Sequence, residues 1–290
     1  LKSIFSRLKS SIKVGKMLLL VCLAALISYF CLFPQLFYCQ TIRLSAFRSS
    51  GDGMFVSPEI KESHHHLLRS IIHSAEMRVD SFYSGLRSKP KLIICATPAE
   101  YERYCSGVEG AGCSLGTPWG ESFIVVNMEG INVDVISHEL SHIELLKRLG
   151  WWETTFRVPQ WFNEGIALML DRRFVDIQDP VGRYLAYSDE WLSYSGGQMI
   201  LELDEIASLK TFFRGKPRQV MLAYMTSGME VSYWVASMDS TGFSQFLHLM
   251  ESGLSFAEAY GKVQDLNQSE YRKILPMNPL RLRRSNSKGG

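Results

Sequence analysis

Five residues in mid-chain, His138-Glu139-Leu140-Ser141-His142, combine two imidazoles and a carboxylate at a spacing that suits metal chemistry. On a helix, residues four apart project from one face, so His138 and His142 can direct a ring nitrogen at the same ion. Glu139 stands on the adjacent face, placed to take a proton from a water held there, which is the mechanical content of an H-E-x-x-H motif. A catalytic zinc usually has three protein ligands and an open position, so two histidines are incomplete. Glu164 offers the third: it is the only acid in the apolar run VPQWFNEGIALML. A carboxylate buried among Trp161, Phe162, Ile166, Ala167 and Leu168 is costly unless a cation or strong donors meet it. Gly165 beside it permits close approach of two helices. His64, His65 and His66 are a competing metal signal, but consecutive helical residues point in three directions, and they read as exposed positions on a helix.

The elements that must position these groups follow from hydrophobic periodicity. HLLRSIIHSAEMRVDSFYSGL carries Leu67, Leu68, Ile71, Ile72, Ala75 and Val79 at helical spacing, which predicts a helix packed on a sheet. KLIICATP reads as a buried strand closed by Pro98, PAEYERYC as a brief helix, and SFIVVN as a second strand after a glycine-rich loop. The spacing predicts a helix from Val133 to Leu149, ended by Gly150. WWETTFRVP then reads as a loop, and Pro159 opens a helix from Gln160 to Arg172. Beyond Asp179 nearly all segments have helical periodicity. Strands early and helices late predict an α+β unit followed by a helical subdomain, with the HELSH segment at the junction.

HELSH followed by WFNEGIA resembles the gluzincin branch of the HExxH metallopeptidases, and more narrowly the peptidase MA-like families of membrane-anchored or exported bacterial proteins. KLIICATPAEYERY is similar to the strand and short helix that precede the site in that family. YWVASMDSTGFSQFLHLMESGLSFAEAYGKV is similar to its late helices, so the likeness extends from about Met54 to Leu275. The resemblance implies a zincin-like metallopeptidase domain, a small sheet and HExxH helix followed by a helical subdomain, with zinc held by His138, His142 and Glu164. The implied reaction is hydrolysis of a peptide bond in a peptide or protein substrate, with Glu139 as general base that later returns the proton to the leaving amine. It further implies an oxyanion donor from the helical subdomain. Tyr224 matches that position best, with Tyr233, Tyr184 and Tyr187 as rivals. In such families the strand before the HExxH helix lines the cleft and pairs with the substrate backbone, which gives that role to Ser122, Phe123 and Ile124. Each ligand histidine also needs an acceptor for its other ring nitrogen. Asp171, seven residues past Glu164, and Glu144 are the candidates. Relatives carry an acid three or four residues after the glutamate, where this chain has Ala167 and Leu168.

The start of the chain is compositionally separate. Lys2, Arg7, Lys9, Lys13 and Lys16 precede a segment from Met17 to Phe33 without a charge. That is close to the ~20 apolar residues that cross a bilayer, and the basic flank places its start in the cytoplasm. A cleaved signal peptide shares the pattern, but bulky Tyr29, Phe30, Phe33 and Phe37 occupy the place of a small-residue cleavage site. The expected organisation is a basic cytoplasmic segment (1–16), a single-pass transmembrane signal anchor (17–38), a linker (39–53), a peptidase domain outside the cytoplasm (54–275) and a basic, frayed tail (276–290). A formal net charge of +2, with the Lys and Arg residues outside the two termini scattered among acids, argues against a nucleic-acid partner. Cys105 and Cys113 have two readings, a short disulfide loop or free thiols. From a different class, the chain would be a catalytically inactive peptide-binding or scaffold protein of the cell envelope that keeps the fold; an intact Glu139 argues against it.

Overall fold

Strands and helices alternate in the first half of the chain, and helices alone follow among the described residues. The structure is a computed structural model that describes residues 2–105 and 111–266, together with Leu275, Asn278 and Leu280. Helix α1 (Lys2–Leu32) contains one apolar span, Gly15–Leu32, none of it buried against the rest of the protein. At about 1.5 Å per residue such a span has the length of a bilayer's hydrocarbon core, and a signal sequence has the same character. The helix stops at Leu32 because Pro34, which donates no backbone hydrogen bond, opens a separate helix α2 (Pro34–Gln40). The expected membrane segment therefore divides: its last residues fold onto the globular part. Cys39 and Ile42, placed in a linker by composition, are buried beneath the sheet with Phe55, Ile93, Tyr101 and Phe123.

The sheet has the order β1-β2-β3-β5-β4, formed by β1 (Arg48–Ser49), β2 (Met54–Val56), β3 (Lys91–Cys95), β4 (Gly112–Gly116) and β5 (Ser122–Asn127). β2, β3 and β5 run parallel, while β1 and β4 flank them antiparallel. Alternation sends Leu92, Ile94, Ile124 and Val126 to one face and Ile93, Cys95, Phe123 and Val125 to the other. Both faces are covered, which is why KLIIC and SFIVV are continuous apolar runs. On the first face lie α3 (His65–Tyr83) and α5 (Val133–Leu149); on the second, α2 and α4 (Pro98–Tyr104). The start of α5 is fixed by Asn132, whose side chain accepts the Val135 N–H at 2.9 Å.

Two segments differ from the sequence expectation. The glycine-rich stretch before β5 holds strand β4 because its glycines serve packing: a Cβ on Gly112 would lie 2.9 Å from Val135 Cγ1, and one on Gly116 would lie 2.6 Å from Leu146 Cδ1. Bare backbone thus lets β4 lie flush on α5. WWETTF, expected as a loop, forms the short helix α6 (Trp151–Phe156), with Trp151, Trp152 and Phe156 gathered at 4.9–5.6 Å between ring centroids. Cys105 and Cys113 are joined by a disulfide.

The rest is helical: α7 (Gln160–Leu168), α8 (Pro180–Ser195), α9 (Leu209–Phe212), α10 (Pro217–Ala236), α11 (Gly242–Glu251) and α12 (Phe256–Leu266). α7 is shorter than expected and stops before Asp171. It presses on α10 at Gly165, where a Cβ would stand 2.4 Å from Val231 Cγ2 and 2.8 Å from Ser227 O. A single apolar core runs from the sheet through α3, α5 and α7 to α10, α11 and α12. Asn278 and Leu280, in the tail expected to be frayed, are buried, and Asn278 Nδ2 donates to Glu230 Oε2 at 2.7 Å; the remainder of that tail lies outside the described residues.

Candidate metal centre

One turn of α5 separates His138 from His142, and both rings point across to α7. Glu164 meets them there: its Oε2 is 3.3 Å from His138 Nε2 and 3.6 Å from His142 Nε2. Its ligand oxygen and the two ring nitrogens lie within 4.8 Å of one another. His138 and Glu164 are 6% and 4% exposed, so the donors converge out of water. Glu164 Oε1 accepts a hydrogen bond from Gln160 Nε2 at 2.7 Å, whereas Oε2 is buried and receives none of acceptable geometry. A buried carboxylate oxygen with no hydrogen bond, aimed between two imidazole nitrogens, is costly on its own and fits a cation. Among the described residues this is the one such group of His, Cys, Asp and Glu side chains; His64, His65 and His66 belong to no other.

The far nitrogens of both rings are held from behind. His142 Nδ1 lies 2.9 Å from Asn163 Oδ1; an amide oxygen can only accept, so Nδ1 carries the proton and Nε2 can serve as a ligand. His138 Nδ1 stands 3.3 Å from Asp171 Oδ2, at ion-pair distance but outside hydrogen-bond geometry. Arg173 clasps that carboxylate, donating from Nε at 2.9 Å to Oδ1 and from Nη2 at 2.6 Å to Oδ2. Asp171 was expected beside a ligand histidine. Gln160, Asn163 and Arg173 were not, although Gln160 and Asn163 lie four and one residues before Glu164 on its own helix. Glu144 plays a different part from the one expected. Its fully buried carboxylate accepts the backbone N–H groups of Arg87 and Ser88 and the Nε of Arg148 at 2.7 Å, tying the turn before β3 to α5 and turning away from both ligand histidines.

The electrostatics favour positive charge at the centre. Burial opposes a charged ring at His138, yet Asp171, Glu164 and Glu139 outweigh it and lift the imidazole to about 10. Burial likewise opposes charge on His142, and Glu164 raises it nonetheless. Burial would raise the carboxyls of Glu164 and Asp171, but His142 and His138 hold Glu164, and His138 with Arg173 hold Asp171, well below the usual carboxylate range. The field that retains protons on the rings is the one a bound cation would occupy. The cluster His138, His142 and Glu164 is thus able to hold a metal ion.

Glu139 is 9% exposed and lies against the start of β4, where a Cβ on Gly112 would stand 3.0 Å from its Cγ. Tyr224, on α10, is wedged between Phe174, stacked at 6.4 Å, and Phe212, edge-on at 5.1 Å. Burial, then the charges of Glu164 and Glu139, push its phenol far above the ordinary value, so the hydroxyl keeps its proton. Among its rivals, Tyr187 spends its hydroxyl on Leu168 O at 3.1 Å, and Tyr184 and Tyr233 pack on each other at 5.1 Å.

Ser122, Phe123 and Ile124 cannot take up an extended chain. They pair with β4 on one side (Ser122↔Gly116, Phe123↔Leu115, Ile124↔Ser114), and Phe123 and Ile124 pair with β3 on the other, so the strand is internal. The sheet edge beside α5 is β4, whose outer backbone groups have no strand partner among the described residues. No family model matches the sequence, and no curated protein matches it.

Proposed function

We propose that this chain is a zinc-dependent peptidase of the zincin type, carried on a bilayer by α1 with its globular part outside the cytoplasm. The observation that carries the reading is the buried Glu164 Oε2, which accepts no hydrogen bond of good geometry and is set between His138 and His142, with Glu139 adjacent on the same helix as the histidines. Two imidazole nitrogens and one carboxylate oxygen make a donor set that suits zinc and leaves a position for substrate. Bound zinc supplies Lewis acidity, which polarises a carbonyl and acidifies water.

The remaining work falls to the chain's own residues. Asp171 and Asn163 orient the two rings, and Gln160 fixes the free rotation of the Glu164 carboxylate. Glu139 accepts the proton of the attacking water and delivers it to the amine nitrogen as the peptide bond breaks. Tyr224, kept protonated by its surroundings, donates its hydroxyl hydrogen to the oxygen that becomes negative in the tetrahedral state. The open edge of β4 pairs with an extended substrate backbone and lays it past Glu139.

The test is to measure bound metal and peptide cleavage for the wild type and for Glu139→Gln. The expected outcome is zinc at one equivalent in both proteins with cleavage lost in the variant. Wild-type protein without zinc, or a variant that still cleaves, overturns the reading.

A further inference from the structure

The end of α1 is clipped to the globular part. Tyr29, in the last turns of the apolar span, donates its hydroxyl to Gln40 Oε1 at 2.8 Å, and Gln40 Nε2 donates to Glu121 Oε2 at 2.9 Å. Glu121 closes the turn between β4 and β5 and is held there by Lys91 Nζ at 2.9 Å. At the tip of that turn Trp119 packs its indole 6.1 Å from the Tyr29 ring while remaining 60% exposed. The turn is therefore fixed at the level of Tyr29, close to the end of the Gly15–Leu32 span.

An exposed aromatic surface continues from there. Trp151 Nε1 donates to the carbonyl of Gly116, the last residue of β4 before the turn, at 3.1 Å. Trp151 in turn backs Trp152 and Phe156, which stack at 5.3 Å and are each 66% exposed. Lys147, in the last turn of α5, and Arg157, which follows α6 and pairs with Glu153 at 3.3 Å, are exposed on the two sides of this segment in the sequence. Large exposed aromatic rings joined by ring contacts and a hydrogen bond to the end of an apolar helix match the headgroup region of a bilayer, where tryptophan and tyrosine concentrate.

We propose that the β4–β5 turn and α6 form a membrane-docking face, in which Trp119, Trp152 and Phe156 sink into the headgroup layer of the bilayer that α1 crosses. The inference rests on α1 lying in that bilayer and not on the metal chemistry. It commits to lipid as the occupant because the face is continuous with α1 through the Tyr29–Trp119 contact.

The full chain, reconstituted in phosphatidylcholine and phosphatidylglycerol vesicles, tests it by tryptophan emission with lipids brominated either near the headgroup or near the acyl end. The expected result is stronger quenching by the shallow bromines, with most of that quenching lost in a Trp119→Phe, Trp152→Phe variant. The phenylalanines keep the surface apolar; of the four tryptophans left, Trp161, Trp191 and Trp234 are buried at 6%, 6% and 0% exposure and contribute little to the signal, and the half-buried Trp151 is common to wild type and variant. Flotation of the vesicles through a density step separates the two ideas. A chain that floats yet shows equal shallow quenching in wild type and variant retains its anchor and overturns the docking face. A chain that does not float overturns both. Protection of the indoles from aqueous iodide without lipid quenching indicates a protein partner on this face and also overturns the proposal.

Discussion

Asp171 holds Arg173 in a two-pronged clasp and presents the same carboxylate to His138 Nδ1, 3.3 Å away. The pair links a charge on the protein surface to the orientation of one candidate ligand. Removing the carboxylate in Asp171→Ala frees the ring to rotate and takes away a negative charge behind it. We expect metal affinity to fall roughly 10- to 100-fold, as is typical when such a partner is lost. Competition with a chelating dye measures it, and unchanged affinity would show that the clasp has no bearing on the site.

Glu144 supplies the contrast. It is as buried as Asp171, but its partners are Arg148 and the N–H groups of Arg87 and Ser88. Glu144→Ala takes the counter-charge from a buried guanidinium, which keeps only the carbonyls of Tyr83 and Gly85, and leaves two amides without their acceptor, a loss of about 3–5 kcal/mol. We expect a large drop in the urea midpoint with metal affinity of the folded fraction unaltered; weakened metal binding would return Glu144 to the ring-orienting role.

Gly165 is sealed against α10, with no room for a methyl group beside Val231 and Ser227. Gly165→Ala overpacks that seam at a cost of about 1–3 kcal/mol. Since the neighbouring residue is Glu164, the same change should weaken metal binding. Denaturation and metal titration on one preparation check both effects.

The Cys105–Cys113 bond closes a short loop, with a sequence separation of 8. Restricting a loop of that size in the unfolded chain stabilises by about 2–3 kcal/mol. We expect a reductant to lower the unfolding midpoint of the wild type and to leave a Cys105→Ser, Cys113→Ser variant unmoved. A wild type that is insensitive to reductant would contradict the bond.

Residue type and local spacing carried much of this. Two histidines one turn apart, and a lone acid in an apolar helix, need only helical geometry to be recognised, and the structure brings them together. KLIIC and SFIVVN were legible because both faces of those strands are covered. Strand β4 was not, since Gly112 and Gly116 look like loop residues until the helix that presses on them is known. For that reason the open edge was assigned to β5, which is one strand too far inward. Nor does offset along the chain separate Asp171 from Glu144: which acid reaches a histidine depends on where α7 ends and on what Arg148 and Arg173 demand. Asn163 and Gln160 carry no signal of their own in the sequence, because polar residues on a helix usually mark a wet face.

The seam at Gly165 has one more consequence. His138 and His142 ride on the helix that rests on the sheet, whereas Glu164 rides on the helix that α10 grips through Ser227 and Val231. The three donors therefore belong to two layers, and an ion held among them would rivet one layer to the other. By reciprocity, with an ion bound, whatever loosened the grip of α10 would weaken its retention, and removing the ion would slacken the joint. Occupancy and interlayer cohesion would then be a single equilibrium, read from either end.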